Sequence, residues 1–100
     1  MSETNLQTAN TILEQIGGKA LYMFGTKNKV AIDRGVQFKI GRNAGKVTHV
    51  RVTLTPADLY DVEFLKVRGT KCTTISTTEG AYADMLTDLI SNATGMAASL

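Results

Sequence analysis

The stretch VTHVRVTL, residues 47–54, decides the fold, because its last six residues alternate strictly between polar and apolar side chains. A period of two places successive side chains on opposite faces of a strand. The segment therefore predicts a β-strand that buries Val50, Val52 and Leu54 and turns the residues between them toward solvent.

The same alternation continues on both sides of this segment. Upstream, three apolar residues alternate with polar or glycine residues at 36–41, and the Asn- and Gly-rich residues 42–46 predict a turn. Downstream, TPAD at residues 55–58 has proline where a type I turn favours it. Residues 60–64 then alternate again, so three consecutive strands are predicted to share one apolar face.

Further strands are predicted at the margins of this central region. The apolar run at 20–24 is typical of a buried strand, and Asp33-Arg-Gly35 predicts a tight hairpin after residues 30–32. The Thr-rich residues 72–77 predict a last strand. Because the alternation changes phase after residue 64, we expect a β-bulge near Phe64 and Leu65.

Two segments have helical periodicity instead. Apolar side chains recur at steps of three and four in residues 5–16, with Ser2 or Thr4 as the expected N-cap and Gly17-Gly18 as the end. Residues 80–93 follow the same spacing, with a capping box at 76–79 and Gly95 as the C-cap. The apolar face of this second helix consists of Tyr82, Met85, Leu86, Leu89, Ile90 and Ala93.

This order of elements predicts an α+β fold in a single domain, residues 1–100. We expect an antiparallel meander sheet of four to six strands, with an N-terminal and a C-terminal helix packed on one face. The opposite face of the sheet is expected to carry Lys39, His49, Arg51, Thr53, Asp61 and Glu63.

The composition is that of a small folded domain. The chain has 100 residues, of which 43% are hydrophobic and 20% charged, and this excludes a disordered chain. One Cys and one His exclude a disulfide framework and a structural zinc site. We expect a cytoplasmic protein with no membrane contact, because no signal-peptide pattern or long apolar run is present. Its modest core favours a homo-oligomer.

Charge is concentrated in the middle of the chain. All eleven Lys and Arg residues lie between residues 19 and 71, together with four acidic residues, whereas both ends are acidic. Such asymmetry indicates a polyanionic partner, although solvated strand faces also use Lys and Arg.

Two patterns with a superficial likeness to catalytic motifs lack essential parts. GRNAGK at 41–46 is one residue shorter than a P-loop, and Val47 replaces the Ser or Thr that binds magnesium. His49 and Cys72 lack a third group to orient a nucleophile–base pair. We expect Cys72 to be buried and His49 to be solvated, and we predict no enzymatic activity and no cofactor.

Asp61 and Glu63 share one face of a strand, as the carboxylates of metal-dependent nucleases do. Leu65, however, stands where that arrangement needs lysine. Pairing with Arg51 or Lys39 on a neighbouring strand is the simpler expectation, since it stabilises a sheet by about 0.2–1 kcal/mol per pair. We therefore predict no metal site.

The basic turns form the stronger functional pattern. If successive strands pair as a meander, the turns at 42–46 and 68–71 lie at the same end of the sheet. Clustered cations bind phosphate backbones with an affinity that falls as salt rises. Most aromatic residues are predicted to be buried, which disfavours base stacking and leaves duplex, structured RNA or a small anion open. The candidate nucleic-acid-binding residues are Lys39, Arg42, Lys46, Arg51, Lys66, Arg68 and Lys71.

Four segments carry a resemblance to a known group: QIGGKALYMFG at 15–25, FKIGRN at 38–43, LTPADLYDVEF at 54–64 and YADML at 82–86. They are similar to small uncharacterised proteins predicted in tailed bacteriophages and prophages. The resemblance brings no catalytic or binding residue. It implies a phage gene expressed in the host bacterial cytoplasm, where small accessory proteins handle nucleic acid or disable a host protein.

Together, these observations predict a non-enzymatic phage accessory protein that binds nucleic acid through its basic turns. The alternative is a protein–protein interaction module, such as an inhibitor of a host defence system, that uses the open sheet face or a sheet edge. A third possibility is a minor structural component of the virion.

We predict that Asp61 and Glu63 bind no divalent metal. Titration with Mg²⁺ or Mn²⁺ is expected to leave the melting temperature and the amide NMR signals of residues 58–66 unchanged, because the two carboxylates lack the lysine of the nuclease arrangement. A saturable shift confined to those signals would contradict the prediction.

Overall fold

The computed structural model describes residues 3–96, with the backbone alone at Glu3 and Thr4. No helix within this range is long and apolar enough to cross a membrane. A short 3₁₀ turn, Ala83–Met85, precedes the last helix. In chain order the elements are α1 (Glu3–Ile16), α2 (Gly18–Met23), β1 (Lys27–Ile32), β2 (Gly35–Lys39), β3 (His49–Leu54), β4 (Tyr60–Arg68), β5 (Lys71–Ala81) and α3 (Leu86–Thr94).

The five strands form one antiparallel sheet in the order β1-β2-β3-β4-β5, which confirms the predicted meander. The three central strands pair without irregularity. Val50 on β3 lies between Phe38 on β2 and Phe64 on β4, and Val52 is likewise flanked by valines. These cross-strand neighbours form a continuous apolar surface on one face of the sheet.

The helices cover this apolar face, as predicted. Ala9, Ile12 and Ile16 of α1 join Leu86 and Ile90 of α3 in one buried cluster with the central strands. The spacing of three and four residues along each helix puts these side chains on the side that meets the sheet. The predicted α+β fold, with an N-terminal and a C-terminal helix on one face, is confirmed.

The predicted bulge also occurs, but the extra residue lies on β5. Phe64 pairs with Ser76 and Leu65 with Thr74, so Ile75 has no partner on β4. The register shift falls at the expected place, opposite Phe64 and Leu65, and both of these side chains are buried.

The predicted strand at residues 20–24 is wrong, because these residues belong to α2 and its C-cap. Gly17 adopts φ 93°, ends α1 and lets a second short helix start at once. Leu21 and Phe24 are buried whereas Tyr22 is 84% exposed, which is a helical and not an alternating pattern. A five-residue apolar run has the same composition in either conformation, so the sequence did not distinguish them.

The second helix begins later than predicted, since β5 continues through Ala81. The proposed capping box at 76–79 is therefore wrong, because these residues belong to β5, and Ser76, Thr77 and Thr78 pair with β4. Tyr82 and Met85, assigned to the buried face, are exposed. Gly95 is the left-handed C-cap, as predicted.

The first helix ends at Gly17, as predicted, but starts earlier than expected. Because α1 begins at Glu3, Thr4 lies inside the helix and is not its N-cap. The other candidate cap, Ser2, lies outside the described residues.

Replacing Leu86 by Ala is expected to lower the free energy of unfolding by about 2–5 kcal/mol, because the side chain is fully buried between α3 and the sheet. Tyr82→Ala is the matched control from the same segment. It should change stability by less than about 0.5 kcal/mol, since Tyr82 is 63% exposed. Chemical denaturation measures both, and equal effects would contradict the packing of α3.

Candidate nucleic-acid interface

A concave, open site lies at the end of the sheet where the β2–β3 connection meets the β4–β5 hairpin. It encloses about 530 Å³. Its walls come from residues 39–43 and 46–48 on one side and from the end of β4 on the other. Among the described residues no acidic side chain lines it. Five cationic residues do: Lys39, Arg42, Lys46, Lys66 and Arg68. We call these five residues and their cavity the basic cavity.

The meander is the reason why these segments meet. Two strands, β3 and β4, separate the β2–β3 connection from the β4–β5 turn, so both lie at the same end of the sheet. Thr48 joins them directly. Its amide donates to the carbonyl of Leu65 (2.8 Å), and its hydroxyl accepts a hydrogen bond from the amide of Val67 (2.8 Å). Lys66, which lies between those two residues, is thereby held beside the β2–β3 connection.

Two predicted site residues lie elsewhere. Arg51 is on the open face of the sheet, where its Nη1 lies 3.8 Å from Oε2 of Glu63 and its Nε donates to Oε1 of Gln37 (3.0 Å). Lys71 is exposed at the start of β5 and does not line the cavity. Sequence periodicity placed Arg51 on the correct face, but only the structure separates it from the cavity.

Asn43 organises the β2–β3 connection. Its Nδ2 donates to the carbonyl oxygens of Gly41 (2.8 Å) and Val47 (2.7 Å), while its Oδ1 accepts from the amide of Val47 (3.1 Å). One side chain thus closes the turn that carries Arg42 and Lys46. Sequence reasoning identified an Asn- and Gly-rich turn here but not this role, which depends on the folded path of the backbone.

The β2–β3 connection is also hydrogen-bonded to the ends of two helices, α2 and α3. The amide of Gly41 donates to the carbonyl of Phe24 at the end of α2 (2.9 Å), and that of Gly45 to the carbonyl of Thr94 at the end of α3 (3.3 Å). A Cβ at position 45 would overlap the carbonyl oxygen of Ala93, so glycine is required by this close approach. The cavity wall is therefore held in place before any ligand arrives.

The positive charge of the cavity comes from Lys and Arg alone at neutral pH. Arg42, Lys46 and Arg68 are exposed, so their charged groups remain hydrated. Nearby His49 is partly buried, and burial together with the ammonium group of Lys39 lowers its pKa below the usual 6.5. His49 is consequently neutral at pH 7 and adds charge only in acid.

On the open face, one of the two carboxylates pairs as expected. Glu63 lies directly opposite Arg51 across β3 and β4, which confirms the charge pairing. Asp61 instead accepts a hydrogen bond from the amide of Gly80 (3.2 Å). Within residues 3–96, no three His, Cys, Asp or Glu side chains come together as a metal site would need.

His49 and Cys72 do not lie on neighbouring strands. His49 is on β3 and Cys72 on β5, with β4 between them, so the two strands lie about 9–10 Å apart. The two residues are further apart than this, because His49 lies opposite Leu65 and Cys72 opposite Val67. Cys72 is exposed, so the prediction that it is buried is wrong. The edge position of β5 explains this, since neither face of that strand is covered near its start. The Nδ1 atom of His49 forms a hydrogen bond with the hydroxyl of Thr48 (2.9 Å).

Comparison with known proteins adds no functional assignment. No protein family model matches the chain, and no curated protein or solved structure matches it either.

Replacing Asn43 by Ala is expected to lower the free energy of unfolding by about 1–3 kcal/mol, because the amide of Val47 and two carbonyl groups lose their partner in a partly buried turn. Asn10→Ala on the exposed side of α1 is the control and should leave stability unchanged or slightly raised. Denaturant unfolding compares the two. If Asn43→Ala lowered the free energy of unfolding no more than Asn10→Ala does, the turn would not need the Asn43 side chain.

Proposed function

We propose that the protein binds nucleic acid, without catalysis, through the basic cavity. The observation that carries this proposal is the convergence of five cationic residues from two separate chain segments around one open concavity. In the part of the chain that the structure describes, no acidic residue lines this concavity. Clustered cations repel one another, so such an arrangement is unfavourable for the isolated protein. A phosphate backbone relieves that repulsion and releases bound counterions.

Positive charge also extends beyond the cavity on both sides. Lys27 on β1 lies directly opposite Lys39, and Lys71 on β5 lies opposite Arg68. The cations thus continue across the end of the sheet from one edge strand to the other. This extension favours a long polyanion over a small anion, because a small ligand would leave the outer lysines unused.

The aromatic residues support recognition of a phosphate backbone over base stacking. Phe24, Phe38, Tyr60 and Phe64 are buried in the core, as predicted. Tyr22 and Tyr82 are exposed, but neither lines the cavity. Proteins that bind single strands without sequence preference stack bases on aromatic side chains, so duplex or structured nucleic acid suits this site better.

The resemblance to small phage and prophage proteins supports the setting of this proposal. In a bacterial cytoplasm during infection, a small protein of this kind would act on phage or host nucleic acid. The alternative, a module that binds and disables a host defence protein, is favoured by one observation, the exposed edge strand β5. A minor role in the virion has no separate structural support.

Removing three exposed cations of the cavity with Arg42→Gln, Lys46→Gln and Arg68→Gln is expected to nearly abolish binding to labelled duplex DNA and RNA. If each contacts a phosphate, the slope of log affinity against log salt should fall by about 2–3 in magnitude. Fluorescence anisotropy across a salt series, with single- and double-stranded probes, measures both effects. Thermal stability should be unaffected or raised, since solvated surface charges contribute little to folding.

The control triple variant carries Lys19→Gln, Lys29→Gln and Arg34→Gln, which removes the same charge from exposed positions that do not line the cavity. It is expected to retain most of the affinity. Equal losses in the two variants would indicate only nonspecific attraction to net charge. Absence of wild-type binding at low salt would overturn the proposed function and leave the protein-binding alternative.

A further inference from the structure

The longest strand of the sheet is an exposed edge. β5 spans eleven residues, and within residues 3–96 it pairs only with β4. Residues 71–77 are exposed on both faces, and Ile75 is 43% exposed. The run CTTISTT, residues 72–78, contains no charge, no proline and no glycine and is rich in β-branched residues. Such a strand presents free backbone groups to another strand.

The opposite edge of the sheet carries more lysines than β5. β1 carries Lys27 and Lys29, and its pairing with β2 is irregular between Lys27 and Val30. Asn28 within that irregularity has φ 53°. Lysines and bulges are the usual means of preventing edge-to-edge association. On β5 the single lysine stands at the first position, and the strand departs from regular pairing with β4 at Ile75 and again at Glu79 and Gly80.

The sequence of β5 is complementary to itself when reversed. Pairing two copies antiparallel about Ile75 places each Lys71 opposite Glu79 of the other copy, because both lie four residues from the centre. Uncharged side chains lie opposite one another at every position between them. Within residues 3–96 neither Lys71 nor Glu79 forms an ion pair, and both are exposed. The bulge at Ile75 falls on the symmetry axis, so both copies depart from regular pairing at the same point there. The second bulge of β5, at Glu79 and Gly80, begins at the end of this register.

We propose that β5 is a homodimer interface, at which a second copy of this chain adds its own β5 antiparallel about Ile75. The strand that pairs with β5 comes from a second copy of the chain, because in this register each Lys71 lies opposite a Glu79 of opposite charge. Antiparallel pairing has its two-fold axis perpendicular to the sheet. The dimer therefore contains a ten-stranded sheet with all helices on one side. Its two Lys71 residues are separated by roughly 27 Å along the strands, so the basic cavities lie toward opposite ends.

Charge reversal tests the register. Lys71→Glu and Glu79→Lys, each alone, place like charges opposite each other twice per dimer and are expected to weaken dimerisation by about tenfold. The double variant restores opposite charges and is expected to recover wild-type affinity. Sedimentation equilibrium at several protein concentrations, without nucleic acid, measures the dissociation constants. Failure of the double variant to recover would overturn the register.

Engineered cysteines test the contact itself. In a Cys72→Ser background, Ile75→Cys places two thiols opposite each other within disulfide reach, so oxidised glutathione should yield a covalent dimer. Thr73→Cys is the control, because its two thiols would be roughly 13 Å apart along the strands. Cross-linking at both positions, or at neither, contradicts pairing about Ile75.

Ile75→Lys and Val30→Lys complete the test at the two edges of the sheet, since both side chains are about half exposed. The first is expected to convert the dimer to a monomer with unchanged circular dichroism, and the second to leave the dimer intact. A wild-type protein that stays monomeric to millimolar concentration, or that pairs through β1, overturns the proposal. Loss of nucleic-acid binding in the cavity variants would not affect it, because Arg42, Lys46 and Arg68 lie outside β5.

Discussion

The register of β3 against its two neighbours is the constraint on which the rest of the structure depends. Val50 lies between Phe38 and Phe64, and the ladder is regular through all three strands. A shift by one residue would turn every one of these side chains to the other face and leave the helices with a polar surface to cover. Burial of the apolar face therefore fixes which side chains of each strand face the helices and which residues pair across the sheet.

The basic cavity follows from that register combined with a well-anchored connection. The meander brings the β2–β3 connection and the β4–β5 turn to one end, and Thr48 bonds the two together. Asn43 closes the connection, while Gly45 lies against the C-terminal end of α3. Because the backbone is held by the fold, the cations it carries stay together despite their mutual repulsion. Because these backbone segments are already ordered, less conformational entropy is lost when a polyanion binds to the cations that they carry.

The two proposed surfaces are distinct in position and in chemistry. The basic cavity uses Lys and Arg at one end of the sheet, whereas the β5 edge offers backbone groups along a nearly uncharged strand. An antiparallel dimer through β5 would carry two cavities toward opposite ends of one sheet. Two separated cationic sites on one particle bind a long polyanion more tightly than either alone, provided that the ligand spans both. Dimerisation would thus strengthen the proposed function without altering either cavity.

The amino-acid sequence determined the central strands, the face they bury and the end of the sheet at which the basic turns meet. These features follow from a period of two that persists through three strands, and from turn residues between them. It did not determine the conformation of residues 20–24, because a short apolar run suits a buried strand and a buried helix equally well.

Only the tertiary structure decided how far β5 extends and which cations form the cavity. Pairing with β4 keeps residues 76–81 extended, although the apolar spacing that follows favoured an earlier helix. Arg51 and Lys66 are both strand cations in the sequence, yet Arg51 lies on the open face beside Glu63 and Lys66 lines the cavity. The physical reason is that contacts between distant segments, such as Thr48 with Leu65 and Val67, set these positions, and local sequence patterns do not encode such contacts.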